Sequence, residues 1–374
     1  MPKIRNWTPF LFIAGYHVLL IALLPLFITH FSWTALGLTL FTYFLGGVSI
    51  TMGYHRLFSH KAYEAHPWLE RVVLFFSTLA FQESALKWSH DHRRHHKYVD
   101  TDDDPYSIEK GFWYAHMGWL FTHERKFDPT IVRDLLKNPR VVFQDNHMLA
   151  LTLVSNGLVF ALSCLFVHPL AAFYGPVLLR IFAIHHCTWF INSLAHTWGA
   201  RTYVRELSAV DNAVLAVLTF GEGYHNYHHA FAADYRNGIR WYHYDVTKWL
   251  IWTASKLGLA HKLRSVSDLR VRQQLVKKDK ELFLSVVPPS GPQFAALRER
   301  AENLARSFDA TASDLNRRLL EMRRATTERQ HQIEEEFHRL QGEVQELRAH
   351  LQEDWEEWKA LTRQVAATGL LPSH

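Results

Sequence analysis

The sequence predicts an all-α integral membrane protein with four transmembrane helices, a helical cap and a helical, coiled-coil-like C-terminal tail. Three observations predict it. Uncharged or nearly uncharged apolar runs come in two pairs, at about 10–28 and 31–52, then 148–167 and 170–194, each long enough for a bilayer core of ~30 Å. Polar, histidine-rich segments follow each pair, in a chain with 25 histidines and two cysteines. After Gly291 the composition turns to Glu, Arg, Leu, Ala and Gln.

The elements follow in order. Phe10–Phe27 carries no charge and no small-residue cleavage site, and a second run follows closely. It therefore reads as a span and not as a removed signal. The second run, Phe31–Met52, contains Gly46, Gly47 and Ser49, with Gly53 just beyond, small residues that allow close approach of a helix or ligand. Residues 54–147 are polar, with one apolar interval, Val72–Phe81, too short to span and expected at the membrane surface. Asp100–Pro105 reads as a turn. His168-Pro169 separates the third run from the fourth, which holds Arg180, His185, His186 and Asn192. Polar groups at that depth face the protein interior or serve function. Arg180 is expected to reach for the interface and His185 and His186 to pack within the span. His90, His116 and His123 are expected at the surface or behind ligands.

Pro288, Pro289 and Pro292 mark a hinge, which divides the chain into a membrane domain, 1–287, and a tail, 288–374. In the tail Phe337, Leu340, Val344, Leu347, Leu351, Trp358 and Leu361 follow a 4–3 spacing, led by Ile333 and broken by Asp354. This is a coiled-coil seam, expected to oligomerise or dock. The formal charge of +5 suits an anionic lipid surface or an anionic substrate carrier and is too diffuse for nucleic acid. Two cysteines, Cys164 and Cys187, exclude a disulfide framework and a cysteine-based metal site.

The chemistry lies in three boxes. His92, His95 and His96 stand at i, i+3, i+4, as do His225, His228 and His229. On a helix each trio shares one face, and three imidazoles on a face make a poor core but a good metal site. His55 and His60 add a third box. Their separation of five rotates ~140° on an α-helix, so they are expected to serve two metals or to lie across a helix end. Asn192 and His196, at i, i+4, share a face at the end of the fourth run. Nine imidazoles exceed one ion's needs and fit two. Structural zinc generally brings cysteine, and hydrocarbon chains offer nothing to hydrolyse. Two redox-active irons for O2 chemistry fit better. Two spans precede the first box and two separate the second from the third, so all boxes lie on one side. The basic residues make that side cytoplasmic.

His55-Arg-Leu-Phe-Ser-His60, His92-Arg-Arg-His-His96 and His225-Asn-Tyr-His-His229 resemble the boxes of the membrane-bound acyl-CoA Δ9 desaturases, the stearoyl-CoA desaturase branch of the fatty acid desaturases. The flanks Gly53, Trp88, Asp91, Gly111-Phe112, Gly118-Trp119, Asn192-Ser193 and Gly221-Glu222-Gly223 are similar too. The resemblance covers roughly residues 10–265. It implies four spans with a cytosolic helical cap holding a di-metal centre, two ferrous ions, and O2-dependent insertion of a cis double bond at carbon 9. His55, His60, His92, His95, His96, His196, His225, His228 and His229 become ligands, with Asn192 acting through a water; the claim of His196 rests on the resemblance. Gln82, Trp88, Thr188 and Trp189 would line the acyl channel, and Tyr43 with Gly47 would close its far end, for 16- to 18-carbon chains.

The implied substrate is long-chain acyl-CoA, in a bacterial-type, multi-pass inner-membrane protein with both termini cytoplasmic. His90, His123 and Glu124 stand where animal members place basic residues against CoA, which leaves acyl-lipid as the alternative carrier. The chain shows no His-Pro-Gly-Gly haem motif, so electrons are expected from a separate ferredoxin, cytochrome b5 or flavin reductase. Zinc can replace iron in purified protein. Rival readings are a three-box alkane or lipid hydroxylase, a membrane scaffold working through its coiled coil, and a transporter. Against the last, the polar residues cluster outside the spans.

Overall fold

The computed structural model describes residues 4–122, 126–289, 291–328 and 334–367. Expectations for His123, Glu124 and Ile333 lie outside the described residues. The chain divides into two compact units, residues 1–265 and 266–374.

Helix α1, Trp7–Thr29, is apolar on every face. Leu11, Val18, Ile21 and Ile28 are exposed, while Ile13, Tyr16 and Leu20 form a narrow inward stripe at 3–4 spacing. An all-round apolar helix with one packed stripe fits a lipid-facing span. Helix α2, Trp33–Ser49, starts where Ser32 Oγ accepts the Ala35 N–H at 3.1 Å, satisfying an otherwise orphaned donor. It continues without a break into a π-helix, Ile50–Ser59, which carries the first box. Helix α3, Pro67–Ser77, turns Leu69, Val73 and Leu74 into the core against α2 and the π-helix. The 72–81 interval is therefore packed inward over its first residues. Helix α4, Ala85–Tyr98, carries the second box and is capped by Ser84.

The third apolar run begins at a bend. Helix α5, Pro139–Asn146, and helix α6, Met148–Ser163, meet at 79°. The fourth run forms one continuous helical stretch, Pro169–His196, with a π-helical part, Phe173–Leu179, ahead of helix α7, Arg180–Ser193. Among the described residues three helices are thus long and apolar enough to cross a membrane, or four if the bent pair counts as one span. Small residues set the packing. A Cβ on Gly175 would lie 2.4 Å from Thr39 Oγ1, and one on Gly46 2.8 Å from Ile184 Cδ1, so α2 approaches the fourth run closely there.

Helix α8, His225–Ala230, carries the third box, and helix α9, Val246–Lys256, follows it. A two-stranded antiparallel sheet joins the segment after the first box to the end of the unit: β1, Glu64–Ala65, pairs with β2, Ala260–His261.

The second unit consists of α10, Asp268–Val286, α11, Pro292–Glu328, and α12, Glu334–Ala367. Its boundary lies ahead of the proline-rich stretch, and α10 belongs to it. Arg300 pairs with Glu357 at 2.5 Å and Arg318 with Glu343 at 3.1 Å. One number rises as the other falls, so α11 and α12 run antiparallel. Val344, Leu351, Trp358 and Leu361 pack with Phe308 and Leu315 of α11 and with Val276 and Phe283 of α10. The apolar seam read from the sequence therefore faces the chain's own helices. Asp354 is not in the core; it accepts a hydrogen bond from Ser307 Oγ at 2.8 Å.

Candidate metal centre

The three boxes and the end of α7 converge on two groups of imidazoles. His55, His60, His92, His96 and His228 form one, and His95, His196, His225 and His229 the other, with the ligating atoms of each group within 4.8 Å of one another. Box two contributes to both because His95 leaves the α4 face on the opposite side from His92 and His96. Box three divides likewise, His228 to the first group, His225 and His229 to the second.

Of the two alternatives for box one, separate metals fails and a helix end between the residues is met: both histidines belong to the first group, their rings 4.8 Å apart, and His60 caps a helix that ends at Ser59. The α-helical premise fails because residues 50–59 are π-helical, and the His60 N–H bonds the His55 carbonyl at 3.1 Å, an i→i+5 step. A separation of five is one closure of that ladder, which stacks the two residues. Such segments are rare and concentrate at functional sites.

The donor set fits metal ions. Nε2–Nε2 separations are 2.8 Å for His60–His92, 3.0 Å for His55–His228, 2.9 Å for His96–His228, 3.1 Å for His196–His225 and His225–His229, and 3.3 Å for His95–His229. Nitrogens bound at ~2.1 Å around one ion stand about 3.0–3.4 Å apart along the edges of the coordination polyhedron. Burial, followed by the charge of neighbouring imidazoles and arginines, holds His60, His92, His96, His225, His228 and His229 well below the usual imidazole pKa. They are neutral, the form that ligates metal.

Several of the outward nitrogens have partners of their own. Glu222 Oε2 lies 2.8 Å from His55 Nδ1, Asp104 Oδ2 2.9 Å from His95 Nδ1, and Ser208 Oγ 2.6 Å from His196 Nδ1. Carboxylates there accept the Nδ1–H hydrogen bond, which keeps the proton on Nδ1 and leaves Nε2 bare toward the centre. Burial works against ionised Glu222, but Arg56 and His55 outweigh it and hold its carboxyl below the ordinary range. Arg56, 1% exposed, bridges Glu222 at 2.9 Å and Asp245 at 3.0 Å. Sequence reasoning missed this layer. The Gly-Glu-Gly flank and the acidic run 100–104 were its only signals, and the run reads equally as a turn.

A cavity of about 500 Å³ opens onto the centre, bordered by His55, His92, His95 and His225. Every residue expected to bind substrate lines it: Tyr43, Gly47, Gln82, Trp88, Thr188 and Trp189, and Asn192 lines it too. Gln82 Nε2 donates to Thr188 Oγ1 at 2.9 Å, and Trp88 stacks on His92 with ring centroids 4.8 Å apart. Tyr43 donates its hydroxyl to the Leu218 carbonyl and lies 5.4 Å from the Phe220 ring.

One expectation changes. Arg180 does not reach for the interface; it is fully buried. His90 and His116, expected at the surface or behind ligands, are buried: His90 Nδ1 contacts Asp91 at 2.9 Å, and His116 bridges Ser193 and His186 at 3.0 Å each. His185 is fully engaged in hydrogen bonds.

Comparison with known proteins agrees with this geometry. The profile of the fatty acid desaturase family matches residues 7–262. The chain is 39% identical over 286 residues to a probable acyl-CoA desaturase of Schizosaccharomyces pombe, covering 74% of this chain and 58% of that one. It is 36% identical over 288 residues to acyl-CoA desaturase 1 of Saccharomyces cerevisiae, covering 74% and 55%. It is 36% identical over 259 residues to the sn-1 stearoyl-lipid 9-desaturase of Anabaena variabilis, covering 68% and 92%. The chain thus spans less than two thirds of the two yeast relatives and nearly all of the cyanobacterial one.

Proposed function

The chain belongs to the fatty acid desaturase family, and from that premise we propose that it is an O2-dependent di-iron desaturase forming a cis double bond at carbon 9 of 16- and 18-carbon saturated acyl chains, carried as acyl-CoA. The observation that carries the reading is the pair of imidazole groups, five and four, at the edge of an apolar cavity. Two irons held by the nine histidines supply, when bound, the oxidising power that O2 needs to remove hydrogen from an unactivated chain. The balance takes two hydrogens from the chain and two electrons and two protons from outside, and yields an alkene and two waters. An external electron donor, a ferredoxin, cytochrome b5 or flavin reductase, completes it.

The protein's own residues do the rest. Gln82 and Thr188 hold the carrier end, Trp88 and Trp189 wall the chain beside the ligands, and Tyr43 with Gly47 closes the channel. The dry, apolar cavity excludes water from the reacting carbons. Asn192 holds a water on the four-histidine group. The protein spans the membrane four times, with the bent pair α5–α6 as one span, and keeps its centre and both termini cytoplasmic; the common side of the three boxes supports this.

The test is the fatty-acid profile of a desaturase-deficient host expressing this chain with a compatible donor, beside a His95→Ala control. New cis-Δ9 acids, absent in the control, are the expected outcome. Hydroxylated acids, or no change with a donor supplied, would overturn the assignment.

A further inference from the structure

Residues 78–84 join α3 to α4 through an unusual turn. Phe81 (φ 53°) and Glu83 (φ 68°) both adopt left-handed backbone, which side chains other than Gly and Asn take at a cost. Such strain persists only where the surroundings over-determine it, and it clusters at working sites.

Side chains from other helices hold this turn by its carbonyls. Arg180 donates to the Leu79 carbonyl and to Asn156 Oδ1, and its Nε reaches the Pro176 carbonyl at 3.0 Å. His185 Nε2 lies 2.8 Å from the Ala80 carbonyl and its Nδ1 3.1 Å from the Tyr16 hydroxyl. A carbonyl only accepts, so Nε2 carries the proton and Nδ1 accepts from Tyr16. Tyr54 donates its hydroxyl to the Glu83 carbonyl at 3.0 Å. The held carbonyls, of Leu79, Ala80 and Glu83, bracket the residues of the turn that line the cavity, Phe81, Gln82 and Glu83.

We infer that Arg180, His185 and Tyr16 are positioning residues: they lock the strained turn, and the turn sets the register of the acyl chain against the two imidazole groups. This rests on the desaturase reading. The far end of the channel stops the chain at Tyr43 and Phe220, and the turn borders its near portion. A shift of the turn by the length of one methylene would present a different carbon pair. Arg180 and Tyr16 do not line the cavity and act only through the turn. His185 also borders it, so its hydrogen bond must be separated from its bulk.

The experiment compares wild type, His185→Phe, His185→Gln and Tyr16→Phe as membrane-embedded, metal-loaded proteins. KM, kcat and double-bond position are measured, together with the affinity of the metal-free proteins for a stearoyl thioether by thermal shift. His185→Phe is expected to keep its metal, raise KM about tenfold, the factor of one lost hydrogen bond, and place part of its double bonds beside position 9. His185→Gln, which can still donate to Ala80, is expected to restore both. Tyr16→Phe is expected to move the same readouts in the same direction by less. If residual activity keeps the wild-type KM and a single double-bond position in both His185→Phe and Tyr16→Phe, the inference is overturned, whatever their yield. If wild type makes no alkene, the functional reading fails; the thermal-shift affinities then decide this inference alone, and equal affinities overturn it.

Discussion

Glu222 Oε2 lies 2.8 Å from His55 Nδ1, and the other oxygen of the same carboxylate accepts from Arg56, the residue next in the chain. One buried acid therefore orients a ligand and balances a buried cation. Glu222→Gln keeps the shape but loses the charge. Partners of this kind are worth about 10–100-fold in metal affinity, so chelator competition on the variant should show a loss in that range. An unchanged affinity would mean that the carboxylate serves only Arg56.

The two groups differ in redundancy. Losing His225 leaves three imidazoles in its group, whereas losing His96 leaves four in the other. His225→Ala should lower metal content from about two ions per chain toward one, and His96→Ala should lower it less, since four ligands still close a site. Elemental analysis of the purified variants checks the order.

A Cβ on Gly47 would stand 2.3 Å from Phe220 Cε2, so the ring must move. Gly47→Ala is expected to shorten the channel. One methylene is worth ~0.8 kcal/mol, about fourfold, so competition between palmitoyl and stearoyl substrates should shift at least that far toward palmitoyl. A shift toward stearoyl would show that the ring moves away from the chain.

Asp134 binds Arg93 of the second box through both oxygens, at 2.6 and 2.9 Å, and Lys61 at 3.0 Å. Burial would raise its pKa, but Arg93 and Lys61 overcome this and hold it below the usual carboxylate range. A folded pKa below the unfolded one adds stability above the unfolded value, ~3.9, and that stability is lost as pH falls through the folded value. Asp134→Asn should therefore lower thermal stability at neutral pH, by ~1 kcal/mol for a partly exposed pair. The gap to wild type should narrow as pH falls below 4. A gap independent of pH would rule this account out.

Trp358, 2% exposed, sits in the core of the second unit. Trp358→Ala should cost about 3–5 kcal/mol there, read as earlier hydrogen exchange in α10, α11 and α12. No change would place the weight of that core elsewhere.

Much of the centre was legible because i, i+3, i+4 spacing is a helical pattern whatever the fold. What stayed hidden depends on backbone detail. Nothing in Ile50–Ser59 announces i→i+5 bonding, so His55 and His60 read as divergent. Arg180 looked like a residue reaching for water, because an acceptor such as the Leu79 carbonyl leaves no mark in sequence. A seam facing its own chain has the same heptads as one facing a partner.

The π-helical box has a consequence for anyone who would rebuild this centre. A bundle drawn only from ideal α-helices can copy the trios of α4 and α8 directly, since their spacing is native to that geometry. It would present either His55 or His60 to the ions, never both. Deleting one residue between them to recover regular winding would slide every later residue of the segment around the helix. The irregular winding is thus part of the ligand specification, to be conserved in design as strictly as the histidines.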